Sequence, residues 1–376
     1  MNFPLSLYIH IPWCIKKCPY CDFNSHTLQN ELPEKAYINQ LLCDLETQLP
    51  FVQDRSIHSI FIGGGTPSLF SAKAYDELFS CLQKELRFSP HCEITLEANP
   101  GTIEADRFSS YFDVGINRVS IGVQSFQNQK LKQLGRIHEA DQAKYAVQQA
   151  HQAGFKRINI DLMFGLPNQT ITDAIFDLQN AIDLSPSHLS WYQLTLEPNT
   201  YFHRFPPTLP SDDARFDIQQ AGQAFLRDHH FMQYEISAYS KNDPCNHNMN
   251  YWLFGDYLGI GAGAHAKLTH LKTMAITRRN SLKHPKQYLS ANKQAIAVTK
   301  TVDQKELPLE FMMNALRLFQ PISIQLFESR TGMSFSVIEK QIQQAVSDDL
   351  IHVTQNAFCV TEKGHLFLNE LLEKLI

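Results

Sequence analysis

Six times between Leu7 and Pro198 a short apolar run gives way to a stretch with helical spacing. The runs are Leu7–Pro12, Ser59–Gly65, Glu93–Pro100, Arg118–Phe126, Arg157–Pro167 and His188–Pro198. Helical spacing follows over Glu34–Leu49, Tyr75–Leu86, Ile103–Phe112, Ala140–Ala153 and Thr172–Leu184. After a break at Pro206, Pro207 and Pro210 it returns over Asp212–Asp228. Short buried strands joined by helices imply parallel pairing with crossovers. The pattern therefore predicts the α/β class, as an open or closed barrel or a doubly wound sheet. Glu97, Gln124 and Asp161 fall where strands end, and in a barrel that end carries the active site.

The chain has 376 residues, 43% hydrophobic and 19% charged, enough for a sizeable core and incompatible with global disorder. A net charge of −5 argues against a protein built to coat nucleic acid or an anionic membrane. The N-terminal stretch MNFPLSLYIHIPWC lacks a basic region and a long apolar core, so no signal peptide is expected. No apolar run approaches the ~20 residues of a membrane-spanning helix. The eight cysteines do not suggest a disulfide framework, which belongs to small secreted domains; a reduced, cytoplasmic setting is expected.

Three of those cysteines, Cys14, Cys18 and Cys21, form a CxxxCxxC loop directly after the first strand. Soft thiolates suit iron, and three on one loop can hold three corners of a cubane iron–sulfur cluster, leaving the fourth iron open to a reacting ligand. A zinc site is the alternative, but it usually takes four protein ligands, and no second CxxC follows. At the end of the second strand, Gly63-Gly64-Gly65-Thr66-Pro67 exposes backbone amides and carbonyls that can receive a polar head group.

The residues around the triplet, Tyr8-Ile-His10-Ile-Pro12-Trp-Cys14 and Cys18-Pro-Tyr20-Cys21-Asp22-Phe23, resemble the signature of the radical S-adenosylmethionine (SAM) superfamily. Within it the chain resembles the oxygen-independent coproporphyrinogen III oxidase-like family. That resemblance implies a partial (β/α)6 barrel. It also implies a [4Fe–4S] cluster on Cys14, Cys18 and Cys21, with SAM on the open iron as the source of a 5′-deoxyadenosyl radical. It assigns SAM contacts to Tyr8, Tyr20, Gly64, Gly65, Thr66, Glu97, Gln124, Arg136 and Asp161.

Two branches of that family compete. The oxidases resemble CxxxCxxCxC and carry an arm ahead of the first strand. Here Phe23 stands at the further cysteine position, and Cys14 comes too early for the arm. A carbon radical needs a dry, closed site, so oxidase turnover is not expected. Instead, His247-Asn248-Met249-Asn250-Tyr251-Trp252 resembles the HNxxYW motif of the haem chaperone branch. That likeness implies haem as cargo on His247, with delivery to haem-acceptor proteins, among them membrane respiratory proteins, by a chain peripheral to the membrane and associated with homodimers. An imidazole can ligate haem iron axially. Cys245 offers an alternative thiolate, although a plain buried thiol is the commoner fate.

From Tyr257 to Val302 there is no Asp or Glu but there are eight Lys or Arg, including Arg278 and Arg279, which can pair with propionates. An RNA- or protein-modifying enzyme would also use such a segment; the acidic net charge speaks against a nucleic-acid partner. From Lys305 onward helices and a hairpin at Ile351–Val360 predict a winged-helix-like appendage, with six basic and nine acidic residues. DNA-binding wings are usually basic, so a packing or regulatory role is expected. The chain thus divides at residues 1–300 and 301–376.

Overall fold

The structure, a computed structural model, describes residues 3–101 and 105–375. The strands of its first half, and the main helices between them, are β1 (Leu5–Ile11), β2 (Trp13–Cys14), β3 (His26–Thr27), α1 (Glu34–Glu46), β4 (Ile57–Gly64), α2 (Ala72–Glu85), β5 (Phe88–Ala98), α3 (Phe108–Asp113), β6 (Arg118–Gln124), α4 (Ala140–Gln152), β7 (Arg157–Phe164), α5 (Ile171–Asp183) and β8 (His188–Gln193). The start of the helix expected at Ile103 lies outside the described residues. Local chemistry starts the crossover helices. Ser71 Oγ accepts the Ala74 amide at the head of α2, and Thr170 with Asp173 forms a reciprocal cap on α5.

The strands β1-β4-β5-β6-β7-β8 pair in parallel in that order, the six-strand partial barrel that the resemblance implies. Beyond β8 the chain adds α6 (Asp212–Asp228) and the antiparallel β9 (Met232–Glu235) and β10 (Ala238–Ser240). It then returns through α7 (Asn246–Trp252) to β11 (Asp256–Ile260), which pairs in parallel with the other edge of β1. Antiparallel β12 (His265–His270), β13 (Ala275–Ser281) and β14 (Ala297–Thr301) complete a twelve-stranded sheet. The stretch that follows Cys245 is therefore ordered as helix and strand.

Side chains alternate across each strand. On β1 the odd residues Leu5, Leu7, Ile9 and Ile11 are fully buried in the main core beneath the helices. The even residues Ser6, Tyr8 and His10 share the inner face with Glu93 and Glu97 of β5, Arg118 and Ser120 of β6, Asn159 and Asp161 of β7, and Tyr192 of β8. The barrel interior is thus polar. It is tied by bonds such as Asn159 Nδ2 to Ser120 Oγ at 2.7 Å and Asn159 Nδ2 to Asp161 Oδ1 at 2.7 Å. Parallel strands normally bury apolar residues on both faces, so this polar face marks where function is built.

The tail forms a second core with α8 (Leu307–Ala315), α9 (Ile324–Thr331), α10 (Glu339–Ser347) and the sheet of β15 (Ile322–Ser323), β16 (Ile351–Val353) and β17 (Ala357–Val360). β16 and β17 make the expected antiparallel hairpin. Phe254 packs edge-on against Phe311, 5.6 Å between centroids, and Arg317 pairs with Glu235 at 3.2 Å, so this core sits against the barrel.

Candidate functional site

The cysteine loop leaves β1 at Pro12 and is stitched at its base. β2 and β3 pair in parallel, with Trp13 opposite His26 and Cys14 opposite Thr27. The His26 amide donates to the Pro12 carbonyl at 2.7 Å and the Leu28 amide to the Cys14 carbonyl at 2.9 Å. Next to it run the glycines that end β4. The Gly65 and Thr66 amides donate to the Ile11 and Trp13 carbonyls, both at 2.7 Å. A Cβ on Gly65 would stand 2.5 Å from the Trp13 carbonyl oxygen. On Gly64, whose φ is +115°, it would stand 2.5 Å from the His10 ring. Only glycine lets these segments touch.

Successive strand ends deliver the remaining groups. Glu97 Oε2 accepts the Gly64 amide at 3.0 Å. Burial, and then the charge of Asp161, push the Glu97 carboxyl up from 4.5 to about 7. Burial likewise raises Asp161, which accepts from Ser120 and Asn159. Gln124 sits beyond a bulge in β6 at φ +70°, a left-handed conformation that costs a non-glycine residue about 1 kcal/mol or more. Its Oε1 accepts the Tyr192 hydroxyl at 2.7 Å. Arg136 is nearly buried. Its guanidinium donates to Asn99 Oδ1 and the Gly122 carbonyl, each at 2.8 Å, and lies 3.4 Å from Cys18 Sγ, while Nε has no partner. Asn99 also donates to Thr66 Oγ1 at 3.0 Å. Burial opposes the charge on Arg136, and Tyr20 and Cys18 more than restore it.

All these groups line one cavity of about 130 Å³ with Cys14, Cys18, Cys21 and Tyr20. The three thiols are free. Burial raises Cys14 and Cys21, partly offset by the hydroxyls of Thr66 and Ser25 respectively. Among the described residues no three His, Cys, Asp or Glu side chains converge tightly enough to chelate a single ion. Three soft donors spread around a cavity, a glycine cradle and a buried guanidinium with an unused N–H fit a cluster together with a small charged molecule. Sequence reading missed Asn99 and Tyr192. Asn99 was visible two residues beyond Glu97 in LEANP, whereas Tyr192 gave no signal beyond its place on the sixth strand.

A second cavity, of about 630 Å³, shares Phe23, Ser25, Gly64 and Glu97 with the first. Tyr8, Tyr251, Tyr257, His10, His265 and Lys283 complete much of its wall. The Tyr8 hydroxyl donates to His10 Nδ1 at 2.9 Å, and His10 Nε2 donates to the Asn24 carbonyl at 2.9 Å. The structure puts Tyr8 in this wall and His247 in neither. His247 is buried on α7, behind Tyr251. Its Nδ1 meets Ser59 Oγ at 3.0 Å and its Nε2 the Tyr251 hydroxyl at 2.9 Å, and burial drops its pKa to about 3. Cys245 is fully buried, 3.4 Å from Glu93 Oε1. The basic segment is largely spoken for: Arg279 is buried on Asp44 at 2.6 Å, Lys267 on Asp256 at 2.9 Å, and Arg278 pairs with Glu310 at 2.6 Å. The expectation that Arg278 and Arg279 serve propionates meets two arginines already satisfied by carboxylates.

Comparison with known proteins agrees with this architecture. The Radical SAM superfamily matches residues 8–178, and the HemN C-terminal domain matches residues 302–367. The heme chaperone HemW of Haemophilus influenzae is 52% identical over 375 residues, covering 98% of this chain and 97% of that protein. The heme chaperone HemW of Escherichia coli K12 is 47% identical over 371 residues, covering 98% and 97% respectively. The structure of coproporphyrinogen III oxidase (HemN) from Escherichia coli, described as a radical SAM enzyme, superposes with a TM-score of 0.84 at 23% identity. It covers 100% of this chain and 90% of its own, a likeness of fold. With full-length identity at this level, the chain belongs to the heme chaperone HemW family of the radical SAM superfamily.

Proposed function

We propose that the chain is a haem carrier on a radical SAM scaffold. In this reading Cys14, Cys18 and Cys21 hold a [4Fe–4S] cluster. Gly64, Gly65, Thr66, Glu97, Gln124, Arg136 and Asp161, flanked by Tyr8 and Tyr20, hold SAM beside it. When bound, cluster and SAM together supply one-electron reductive chemistry. The residues supply binding and orientation. Glu97, fixed on the Gly64 amide, keeps its second carboxylate oxygen for an ammonium group. Arg136 keeps Nε–H for a carboxylate. The Gly63–Gly65 backbone lets a small molecule lie flat against it.

The observation that carries the haem assignment is the shared wall. A cavity of about 630 Å³, faced by Tyr8, Tyr251 and Tyr257, adjoins the thiol-lined one. Ligand cavities of about 300–1,000 Å³ with aromatic walls take flat molecules of this size. His247 enters as the imidazole behind Tyr251. Reaching iron would exchange its bond to the Tyr251 hydroxyl, worth about 1 kcal/mol net, for a bond to the metal. Delivery to acceptor proteins, including membrane respiratory ones, a cytoplasmic location peripheral to the membrane, and a homodimer belong to the same proposal. Among the described residues no helix is long and apolar enough to cross a membrane.

Anaerobic titration of haem into cluster-reconstituted protein tests it. Saturable binding with a Soret shift is expected, and coproporphyrinogen is expected to remain unconverted with SAM and reductant. No specific haem binding would overturn this reading, and steady formation of protoporphyrinogen would replace it with the oxidase one.

A further inference from the structure

The larger cavity and the wall behind Tyr251 hold four imidazoles, and three of them are already engaged. His10 uses both ring nitrogens, on Tyr8 and Asn24. His247 uses both, on Ser59 and Tyr251. His26 has Nε2 3.3 Å from Asn24 Oδ1, and its ring packs against His284 with 5.3 Å between centroids. The fourth, His265, opens β12 and is exposed to the cavity, and among the described residues neither ring nitrogen has a hydrogen-bond partner.

Its position is well fixed even though its ring is free. β12 is held in the middle of the antiparallel extension, with His265 opposite Asn280 and Lys267 opposite Arg278. The carbonyl of His265 lies where a Cβ on Gly259 would come within 1.9 Å, so β11 and β12 touch there backbone to backbone. Three more observations describe the surroundings. Lys283 is exposed at the rim of the same cavity, without a carboxylate partner among the described residues, unlike Arg278 and Arg279. Phe23, at the position where the oxidases resemble C-x-C, is 60% exposed and lines both cavities. Partial burial, then Lys283 and Arg278, hold His265 below the usual imidazole range, so the ring is neutral and offers a lone pair.

We infer that His265 is the axial ligand that first captures the iron of a porphyrin entering this cavity, with Tyr251 and Tyr257 against the macrocycle and Lys283 facing its carboxylate tails. The inference rests on the haem-carrier reading and deepens it. Of the four imidazoles, His265 alone has neither ring nitrogen in a hydrogen bond among the described residues. The strand fixes where the ring can reach, and the cost left to binding is ordering the side chain itself.

The test compares wild type, His265→Ala and His247→Ala, each with its cluster reconstituted, by anaerobic titration with ferric haem and, separately, with metal-free protoporphyrin. His265 is exposed, so its variant is expected to keep the wild-type circular dichroism. Wild type should give saturable binding with a histidine-ligated spectrum. His265→Ala should lose that spectrum and bind haem about 10–100-fold more weakly, the range over which even supporting residues of a metal site act. Added imidazole should restore the spectrum. Metal-free porphyrin, with no iron to ligate, should bind both proteins alike. Wild-type affinity and spectrum in His265→Ala would overturn this inference alone, as would equal loss of metal-free porphyrin. Absence of saturable binding by wild type would overturn the carrier reading along with it.

Discussion

The two adjoining cavities differ in what they leave unpaired. In the thiol-lined cavity almost every polar group is held by another: Glu97 by the Gly64 amide, Gln124 by Tyr192, Arg136 by Asn99 and the Gly122 carbonyl, Asn99 by Thr66. The larger cavity keeps His265 and Lys283 free and Phe23 exposed. Tight mutual bonding suits a group that stays, because the cost of ordering the site is met once, on folding. An aromatic wall with unpaired groups at hand suits a cargo that must leave. The same sheet serves both, since strand ends and the cysteine loop carry the first, while the β1–β11–β12 side and the other face of that loop carry the second.

The comparison is sharpest at the cysteines. Cys18→Ser is expected to reduce bound iron and sulfide after anaerobic reconstitution to background, measured chemically, because the hydroxyl replaces a soft donor with a hard one. Unchanged iron in that variant would remove the distinction between a resident and a transient site.

A smaller effect is expected from Glu97→Gln in the cofactor-free protein. The carboxyl titrates near 7 when folded and near 4.5 when not, so the folded state holds the extra proton between those values. Folding stability contributed by this group is present below about pH 4.5 and is lost as pH rises through 7. At about 1.4 kcal/mol for each unit of separation, the loss amounts to roughly 3 kcal/mol. The neutral amide does not titrate, so the variant should gain on wild type in denaturant unfolding between pH 5 and 8. A gap that does not change with pH would show the Glu97 carboxylate to be as well solvated as an ordinary one.

The smallest effect is expected at Tyr251→Phe, which frees His247 Nε2 at a cost of about 1 kcal/mol in stability. If His247 takes over iron once released, the haem spectrum of this variant changes; if His265 alone ligates, it does not. Thermal unfolding and haem titration of the one variant read both quantities.

Much of the fold was legible because its rules are periodic. The six strands and their helices follow from short apolar runs with helical spacing between them, and β4, β6 and β7 begin or end within a few residues of expectation. What escaped was the return of the chain to β1. Nothing in Asp256–Ile260 says that it pairs with Leu5–Ile9 rather than with its sequence neighbours, because parallel pairing over such a distance leaves no local pattern. The polar inner face was half legible. Glu97, Gln124 and Asp161 were picked out at the strand ends, while Ser120 and Asn159 were read only as members of buried strands. The HNMNYW motif supplies Tyr251 to the wall of the larger cavity. It could not reveal that Tyr251 stands between His247 and the opening, since a hydrogen bond between side chains four apart on a helix depends on rotamers rather than on residue type.

The place of β1 also bears on how this chain is made. Its first strand is the spine of the sheet, flanked by β4 on one side and by β11 on the other. While the protein is being synthesised, the β4 edge can be covered early, but the partner of the second edge begins only at Asp256. At about 5–20 residues per second, the nascent polypeptide spends roughly 10–50 s with an apolar strand edge open to other chains. Long-range parallel pairing of this kind is slow to form and exposes the chain to aggregation meanwhile. Slowing translation between β4 and Asp256 is therefore expected to lower the soluble yield of this chain, an effect that the stability of the finished sheet does not report.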